Sequence, residues 1–307
     1  MADKQVIVIG AGIAGLSAGC YAQMNGYQAD IFEMHDLPGG LCTAWKRGGY
    51  TFDGCIHWLV GTKPGSSLRR MWDELGALKD ANVLDREEFM RVETPDGRAL
   101  ILYSDADRLE QHLKELSPAD AEQIEELTNA IRLLGHLEMP LDAPAELPDD
   151  PAQLPPEFRP VMETFAKFST LSGKEWCAQL EDPFLREAFN RVFQFGGVSM
   201  IFVIITLAYY NVRNAGFPLG GSLPFSRAIE RRFRDLGGRM HYKSPVETIL
   251  VENNRAVGVR LLNGTEHRAD VVISAADGRT TIFDMLEGRF TSDLITRAYE
   301  KWPIFQP

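Results

Sequence analysis

The chain has 307 residues, of which 45% are hydrophobic and 24% charged, and its formal net charge at pH 7 is −11. This composition predicts a globular protein with room for two domains and a sizeable core, and it excludes a largely disordered chain. The acidic charge argues against a nucleic-acid partner, because phosphate binding needs a basic surface.

The cysteines and the apolar stretches indicate a cellular setting. Four cysteines show neither a CxxC pair nor the spacing of a metal site, which favours reduced thiols in a cytoplasmic protein without a bound metal. Residues 5–9 lead directly into glycines, so they do not resemble a secretory signal. The most apolar later stretch, residues 198–210, is shorter than the ~20 residues that a membrane-spanning helix needs. It is therefore predicted as a core segment, with the wall of a lipophilic pocket as the alternative.

The first predicted elements form a βαβ unit. Residues 5–9 are almost continuously aliphatic, which is typical of a parallel strand buried on both faces. A helix is predicted over residues 13–25 and ends at Gly26. A second strand covers residues 28–33 and ends in an acid, Glu33.

Three glycines, Gly10, Gly12 and Gly15, separate the first strand from the first helix. In a dinucleotide-binding turn the first glycine permits a tight bend, the second lets the backbone approach the pyrophosphate, and the third lets helix and strand pack closely. The helix N-terminus then offers unpaired N–H groups to the phosphates. Glu33 lies about 20 residues onward, where an acid binds ribose hydroxyls and disfavours NADP. The pattern predicts a dinucleotide and leaves NAD and FAD open.

Residues 36–58 favour FAD over NAD. They place the glycine pairs Gly39–Gly40 and Gly48–Gly49 where a nicotinamide dehydrogenase usually continues into another helix. Asp53 is predicted to make an Asx turn, with anchoring of a flavin-facing loop as the alternative.

His57 is predicted first as a structural residue with satisfied hydrogen bonds. A catalytic role for His57 and Cys55, as proton donor or shuttle near a flavin, is the alternative. We expect Cys20 and Cys177 to be packing residues.

The middle of the chain is predominantly helical in pattern. Helices are predicted around residues 68–78, over 107–116 and over 119–137, followed by an exposed proline-rich loop over 140–160 and further helices over 161–210. The aromatic residues of this last region are expected in the core, with the wall of an apolar pocket as the alternative. They are Phe189, Phe193, Phe195, Phe202, Tyr209 and Tyr210.

The last third returns to sheet. A helix is predicted over residues 222–236, stopped by Gly237 and Gly238. Short strands follow, with turns at Asn253–Asn254 and Asn263–Gly264.

Taken together, these motifs resemble the phytoene desaturase-like branch, which includes carotenoid desaturases and retinol saturases, of the FAD-dependent flavin amine oxidase superfamily. The resemblance is carried by the glycine turn and by the segments DLPGGLCTAWKRGGYTFDG, FPLGGSLPFSRAIERRFRDLGG, SPVETILVENNRAVGVRL and ADVVISAAD. The chain departs from the family pattern at Leu41, where arginine is frequent, and at Gly54, which lies one position early.

The resemblance implies an α/β fold, with a Rossmann-type FAD-binding domain and an inserted, largely helical substrate domain. The expected domains are residues 1–79 and 216–290 for FAD, 80–215 for substrate, and 291–307 as the start of a further segment. The implied FAD-binding residues are Gly10, Gly12, Ala14, Gly15, Glu33, Met34, Gly39, Gly40, Leu41, Val246 and Ala275.

The resemblance also implies an oxidoreductase that acts on carbon–carbon bonds of an apolar, isoprenoid or carotenoid-like substrate, as desaturase or saturase. The alternatives are a flavin amine oxidase and a non-catalytic protein that binds flavin or apolar ligands. We expect cytoplasmic location, peripheral membrane contact and self-association. The chain is also expected to lack the family's C-terminal segment and to be inactive alone, with a naturally short, self-contained form as the alternative.

Overall fold

The computed structural model describes residues 4–137, 156–193 and 198–302. Its strands are β1 (Gln5–Ile9), β2 (Gln28–Phe32), β3 (Ala44–Arg47), β4 (Tyr50–Asp53), β5 (Leu59–Val60), β6 (Val83–Leu84), β7 (Glu88–Glu93), β8 (Ala99–Tyr103), β9 (Ala215–Pro218), β10 (Arg239–His241), β11 (Val246–Glu252), β12 (Arg255–Leu261), β13 (Glu266–Arg268) and β14 (Val271–Ser274). Its α-helices are α1 (Ile13–Met24), α2 (Ser67–Glu74), α3 (Ala106–Leu116), α4 (Ala121–Gly135), α5 (Arg159–Ser169), α6 (Gly173–Ala178), α7 (Pro183–Val192), α8 (Met200–Asn211), α9 (Ser222–Asp235) and α10 (Asp293–Lys301).

The chain folds into two compact units. The first contains residues 1–57, 72–81 and 220–307, and the second contains residues 58–71 and 82–219. Mixed α/β structure is confirmed. Within the part of the chain that is described, no helix is both long and apolar enough to cross a membrane.

The first unit is built on a parallel sheet with the strand order β10-β2-β1-β14. The register pairs Val8 with Ile31 on one side and with Ile273 on the other, so β1 is central and its residues Val6 to Ile9 are buried. This explains the continuous aliphatic pattern of β1, because a central parallel strand has no polar face.

Helices α1 and α9 cover one face of this sheet. Gly19 of α1 lies so close to Ile31 and to Phe233 of α9 that an added Cβ would come within 2.9 Å of either side chain. The thiol of Cys20 donates to the carbonyl of Ile229 at 3.7 Å, and both residues are fully buried. The small residues of α1 thus let the second helix pack closely.

An antiparallel sheet of order β11-β12-β13 covers the other face. Its buried residues Ile249, Val259 and Leu261 form one apolar cluster with Ile7, Ile9, Phe32 and Met285. The predicted turn between β11 and β12 is confirmed, since Asn253 and Asn254 both have positive φ, at 51° and 59°. The unit therefore has three layers, with the parallel sheet in the middle.

The second unit combines helices with short strands. Helix α8, from the apolar stretch 198–210, packs against α4, and its residues Met200, Ile201, Ile204, Leu207 and Ala208 belong to the core. The prediction that residues 198–210 form a core segment is confirmed for the face of α8 that carries these five residues. Phe202, on the opposite face, is 65% exposed.

Trp58–Met71 groups with the second unit, although the sequence assigned residues up to 79 to the FAD-binding part. The reason is strand pairing, because β5 pairs with β9 through Leu59 and Gly216. The predicted segment 291–307 contains α10 in the first unit, where Tyr299 packs edge-on against Phe283 of a π-helix (Thr280–Met285). The proline-rich loop up to residue 155 and Phe195 lie outside the described residues.

Replacing Phe233 by alanine tests the packing of the first unit. Because the ring is fully buried, we expect Phe233→Ala to lower the free energy of unfolding by about 3–5 kcal/mol in urea titrations. Phe202→Ala is the matched control, and its effect should stay within about 0.5 kcal/mol because Phe202 is largely exposed. Equal losses of unfolding free energy in the two variants would contradict the tight packing of Phe233 in the first unit.

Candidate functional site

The turn between β1 and α1 is closed by backbone contacts. Gly10 has a φ of +94°, a conformation that favours glycine, and its N–H donates to the carbonyl of Phe32 at 2.8 Å. A Cβ at Gly15 would overlap the carbonyl of Gly10 and lie 3.2 Å from the Cβ of Ala275. Gly10 therefore makes the bend and Gly15 permits the close packing, the two roles that their spacing predicts.

Gly12 faces open space. A Cβ added there would have only the carbonyl oxygen of Gly39 within 4 Å, at 4.0 Å. Gly12 is also the N-cap of α1, no side chain caps this helix, and its first turn holds no acidic residue. The free N–H groups and the absence of a Cβ leave a cradle that fits the pyrophosphate of a dinucleotide. The residues present therefore fit FAD.

Glu33 is buried, and its carboxylate joins two backbone segments. Oε2 accepts a hydrogen bond from the N–H of Ala11 at 2.7 Å, and Oε1 accepts one from the N–H of His35 at 2.9 Å. Each oxygen still has one lone pair for a further donor. Glu33 thus supports the glycine turn, a role that the sequence did not predict, and binding of ribose stays a prediction.

The Gly39–Gly40 loop packs directly on the glycine turn. The N–H of Gly39 donates to the carbonyl of Ala11 at 2.8 Å, and a Cβ at Gly40 would lie 3.2 Å from the Cα of Gly12. Leu41, next in the chain, is 80% exposed. Two glycine-rich segments almost thirty residues apart therefore meet at one place.

The other residues implied as FAD ligands lie around this turn. The N–H of Ala275 donates to the carbonyl of Ile9 at 2.9 Å, so the end of β14 lies beside the turn. Val246 starts β11 just after Ser244, whose N–H donates to the carbonyl of Glu33 at 2.9 Å. Ala14 and Met34 are exposed. Their contacts with FAD stay predictions.

Asp53 holds the start of α9. Its Oδ2 accepts a hydrogen bond from the N–H of Ser222 at 2.6 Å, and its Oδ1 accepts one from the Ser222 hydroxyl at 2.6 Å. Oδ1 also accepts the N–H of Cys55 at 3.2 Å, so the predicted Asx turn is confirmed. Burial opposes ionisation, but the bonds from Ser222 outweigh it and lower the pKa of Asp53. The sequence Gly220–Gly221–Ser222, at which α9 begins, is the signal that could have suggested this contact.

The two catalytic candidates, Cys55 and His57, follow strand β4. His57 is exposed, and its charge is one of the weaker causes that lower the pKa of Asp53. Cys55 is half-buried. A catalytic role for either residue stays a prediction.

The geometry of the first unit defines a dinucleotide-binding α/β protein. The family model for flavin containing amine oxidoreductases matches residues 13–303, and the chain belongs to this family. The predicted cofactor, FAD, is confirmed by this membership.

Curated relatives confirm the resemblance to the phytoene desaturase-like branch. A neurosporene-forming phytoene desaturase from Rhodobacter capsulatus is 28% identical over 303 residues, which cover 93% of this chain and 55% of that protein. An all-trans-retinol 13,14-reductase from Danio rerio is 24% identical over 311 residues, covering 96% and 50%. The chain thus spans about half the length of these relatives.

A solved structure agrees on the fold. An oxidoreductase from Methanosarcina mazei has a TM-score of 0.58 and 22% identity to this chain, covering 96% of it and 64% of that protein. This likeness supports the α/β fold alone.

Substitution of Gly12 tests the phosphate cradle. We expect Gly12→Val to lose bound FAD, because its side chain occupies the space that the pyrophosphate needs, while the apo protein keeps its melting temperature. Flavin absorbance after gel filtration and thermal unfolding of apo protein measure the two effects. Gly15→Val is the contrasting variant, since its side chain overlaps Gly10 and lowers the melting temperature as well. A fully flavin-loaded Gly12→Val protein would refute the assignment.

Substitution of Asp53 tests the anchor of α9. We expect Asp53→Asn to lower the free energy of unfolding at pH 7 by about 1 kcal/mol, a modest value because the residue is exposed. Since the folded-state pKa is lowered, this contribution is present above the unfolded pKa of ~3.9 and is lost as the pH falls through the folded value. The difference from wild type should therefore shrink below about pH 4. Asp36→Asn, at an exposed site, is the control; an equal loss there would contradict the anchor.

Proposed function

We propose that this chain is part of an FAD-dependent oxidoreductase that acts on a carbon–carbon bond of an apolar, isoprenoid or carotenoid-like substrate. The observation that carries the proposal is the cradle at Gly12. A Cβ added there would have only the carbonyl oxygen of Gly39 nearby, and the Gly39–Gly40 loop lies against the turn. Family membership supplies the flavin, and the names of the relatives supply the chemical class of substrate.

In this proposal the N-terminus of α1 binds the pyrophosphate, with Gly10 and Gly15 shaping the turn. Glu33 would bind a ribose hydroxyl with the lone pairs that its backbone contacts leave available. The start of β11 at Val246 would lie on the adenine side. The remaining proposed contacts come from Ala14, Met34, Gly39, Gly40, Leu41 and Ala275.

The bound flavin supplies hydride acceptance or donation at carbon. Such chemistry asks the protein for orientation and for a site that excludes water. We propose that residues 80–215 form an inserted, mainly helical substrate domain. Its support is that the second unit has its own apolar core, formed by α3 to α8 with β8.

The substrate is proposed to be an apolar small molecule that reaches the flavin from a membrane surface. We propose that the exposed side of α8, which carries Phe202, contacts this membrane surface. The direction of reaction stays open, because desaturase and saturase share these motifs. Cytoplasmic location and self-association are part of the same proposal.

An anaerobic titration tests this function. The flavin-loaded oxidoreductase that includes this chain is mixed with an acyclic isoprenoid polyene in liposomes, starting from oxidised or from dithionite-reduced flavin, and the visible flavin absorbance is followed. We expect the polyene to reduce the oxidised flavin or to reoxidise the reduced flavin, with a matching change in the number of substrate double bonds by mass spectrometry.

A saturated isoprenoid with the same number of carbons and a short diamine are the controls for this titration. A flavin that responds to the diamine alone would favour the amine oxidase alternative. A flavin inert to every compound in both states would favour the non-catalytic binding protein.

A further inference from the structure

The hairpin formed by β3 and β4 is exposed along nearly its whole length. Every residue from Trp45 to Gly54 is exposed, whereas Ala44, at the start of β3, is buried. The turn residues Gly48 and Gly49 have positive φ, at 57° and 83°, and a Cβ added to either would have no atom within 4 Å. Three steps along β3 from its buried start cover about 10 Å. The hairpin therefore projects about this far from the first unit.

The base of the hairpin is held in place by α9. The Asp53 carboxylate accepts hydrogen bonds from the N–H and from the hydroxyl of Ser222, both at 2.6 Å. On the other strand, the carbonyl of Cys42, just before β3, accepts a hydrogen bond from the Ser226 hydroxyl. These contacts fix where the hairpin starts, and its far end stays open to a partner.

One face of the hairpin is aromatic. Directly opposite residues of an antiparallel pair share a face, and the ladder pairs Trp45 with Phe52 and Arg47 with Tyr50. The rings of Trp45 and Phe52 stack, with centroids 6.1 Å apart and an interplanar angle of 15°. Trp45, Phe52 and Tyr50 are nevertheless 56%, 45% and 73% exposed. These four residues make up the aromatic face, which leaves apolar surface in contact with water.

Two cations lie beside the turn. Arg47 belongs to the aromatic face, and Lys46, paired with Thr51, lies on the opposite face. Among the residues that the structure describes, neither cation has a carboxylate partner, unlike Arg239, which pairs with Asp30. The end of the hairpin thus combines apolar rings with two uncompensated positive charges. A lipid surface with anionic headgroups complements both features at once.

We propose that the β3–β4 hairpin binds the interface of an anionic lipid bilayer. Trp45 and Tyr50 suit this zone because each ring has an apolar body and a polar group, and Lys46 and Arg47 attract lipid phosphates. Interfacial segments lie about 5–10 Å deep, which the projecting hairpin can reach. Its outer backbone N–H and C=O groups have no neighbouring strand, so it enters the hydrated headgroup region and not the hydrocarbon.

The inference deepens one part of the proposed function, the contact with a membrane surface, and rests on that part alone. It adds an element of the first unit to the contact proposed for α8. The reaction is tested separately by the flavin titration, so the hairpin can fail to bind lipid while the reaction stands. Phe202→Ala, in α8, distinguishes the two proposed contacts in the same vesicle assay.

Flotation with vesicles tests the inference. The flavin-loaded protein that includes this chain is mixed with vesicles of phosphatidylcholine, with or without phosphatidylglycerol, and the bound fraction is measured. We expect stronger binding when phosphatidylglycerol is present. Lys46→Gln and Arg47→Gln should each weaken that binding about fivefold, the effect of one charge at an anionic surface. Lys79→Gln, at another exposed lysine of the first unit, is the matched control and should bind as wild type does.

Aromatic variants test the rings. Trp45→Ala should weaken binding to both kinds of vesicle roughly tenfold, because it removes apolar area that leaves water on binding. Trp302→Ala, at a 70% exposed tryptophan of the same unit, is the control and should bind as wild type does. A melting temperature close to that of wild type shows that each variant is folded.

Tryptophan fluorescence provides a second measurement that needs no loss of binding. Lipids brominated near the headgroup should quench the fluorescence of the wild-type protein, and Trp45→Phe should lose this quenching while it still binds. The inference is overturned if wild type does not bind vesicles, if the hairpin variants bind as well as their controls, or if Trp45→Phe is quenched equally. Shielding of Trp45 from both aqueous acrylamide and brominated lipid would also overturn it, since another protein surface then covers the hairpin.

Discussion

The close approach of helix α1 to the end of strand β1 is the constraint on which the rest of the first unit depends. It is possible only because residue 15 has no Cβ that would overlap the carbonyl of Gly10. That approach directs the uncapped first turn of the helix toward the space beside Gly12. The positive end of the helix dipole and the free N–H groups then act at one point, which is what phosphate binding needs.

Each residue of the turn is held by a different part of the chain. The N–H of Ala11 donates to the Glu33 carboxylate, and the carbonyl of Ala11 accepts the N–H of Gly39. The carbonyl of Ile9 accepts the N–H of Ala275. A loop whose polar backbone groups are satisfied in this way loses little freedom when a ligand binds. The contacts also explain why the site needs segments from both ends of the sequence.

The apolar layers on both sides of the parallel sheet give this turn a rigid base. Phe233 and Ile229 of α9 are fully buried on one side, and Val259 of β12 is fully buried on the other. Asp53 adds a polar fixed point, because its carboxylate binds both the N–H and the hydroxyl of Ser222. Packing thus fixes the layers, and the charged hydrogen bonds fix where α9 begins.

The sequence by itself determined the elements whose information is local. The aliphatic run of β1, the glycine spacing, the helix ended near Gly26 and the Asn253–Asn254 turn all follow from the preferences of neighbouring residues, and the structure confirms them. The same glycine spacing also predicted the open position at Gly12.

Only the tertiary structure decided contacts between residues distant in the chain. The sequence did not indicate that Glu33 would bind the N–H of Ala11, that Asp53 would hold Ser222, or that β5 would pair with β9. The physical reason is that such contacts depend on sheet register and on the packing of whole layers, which a local pattern of residue types does not specify.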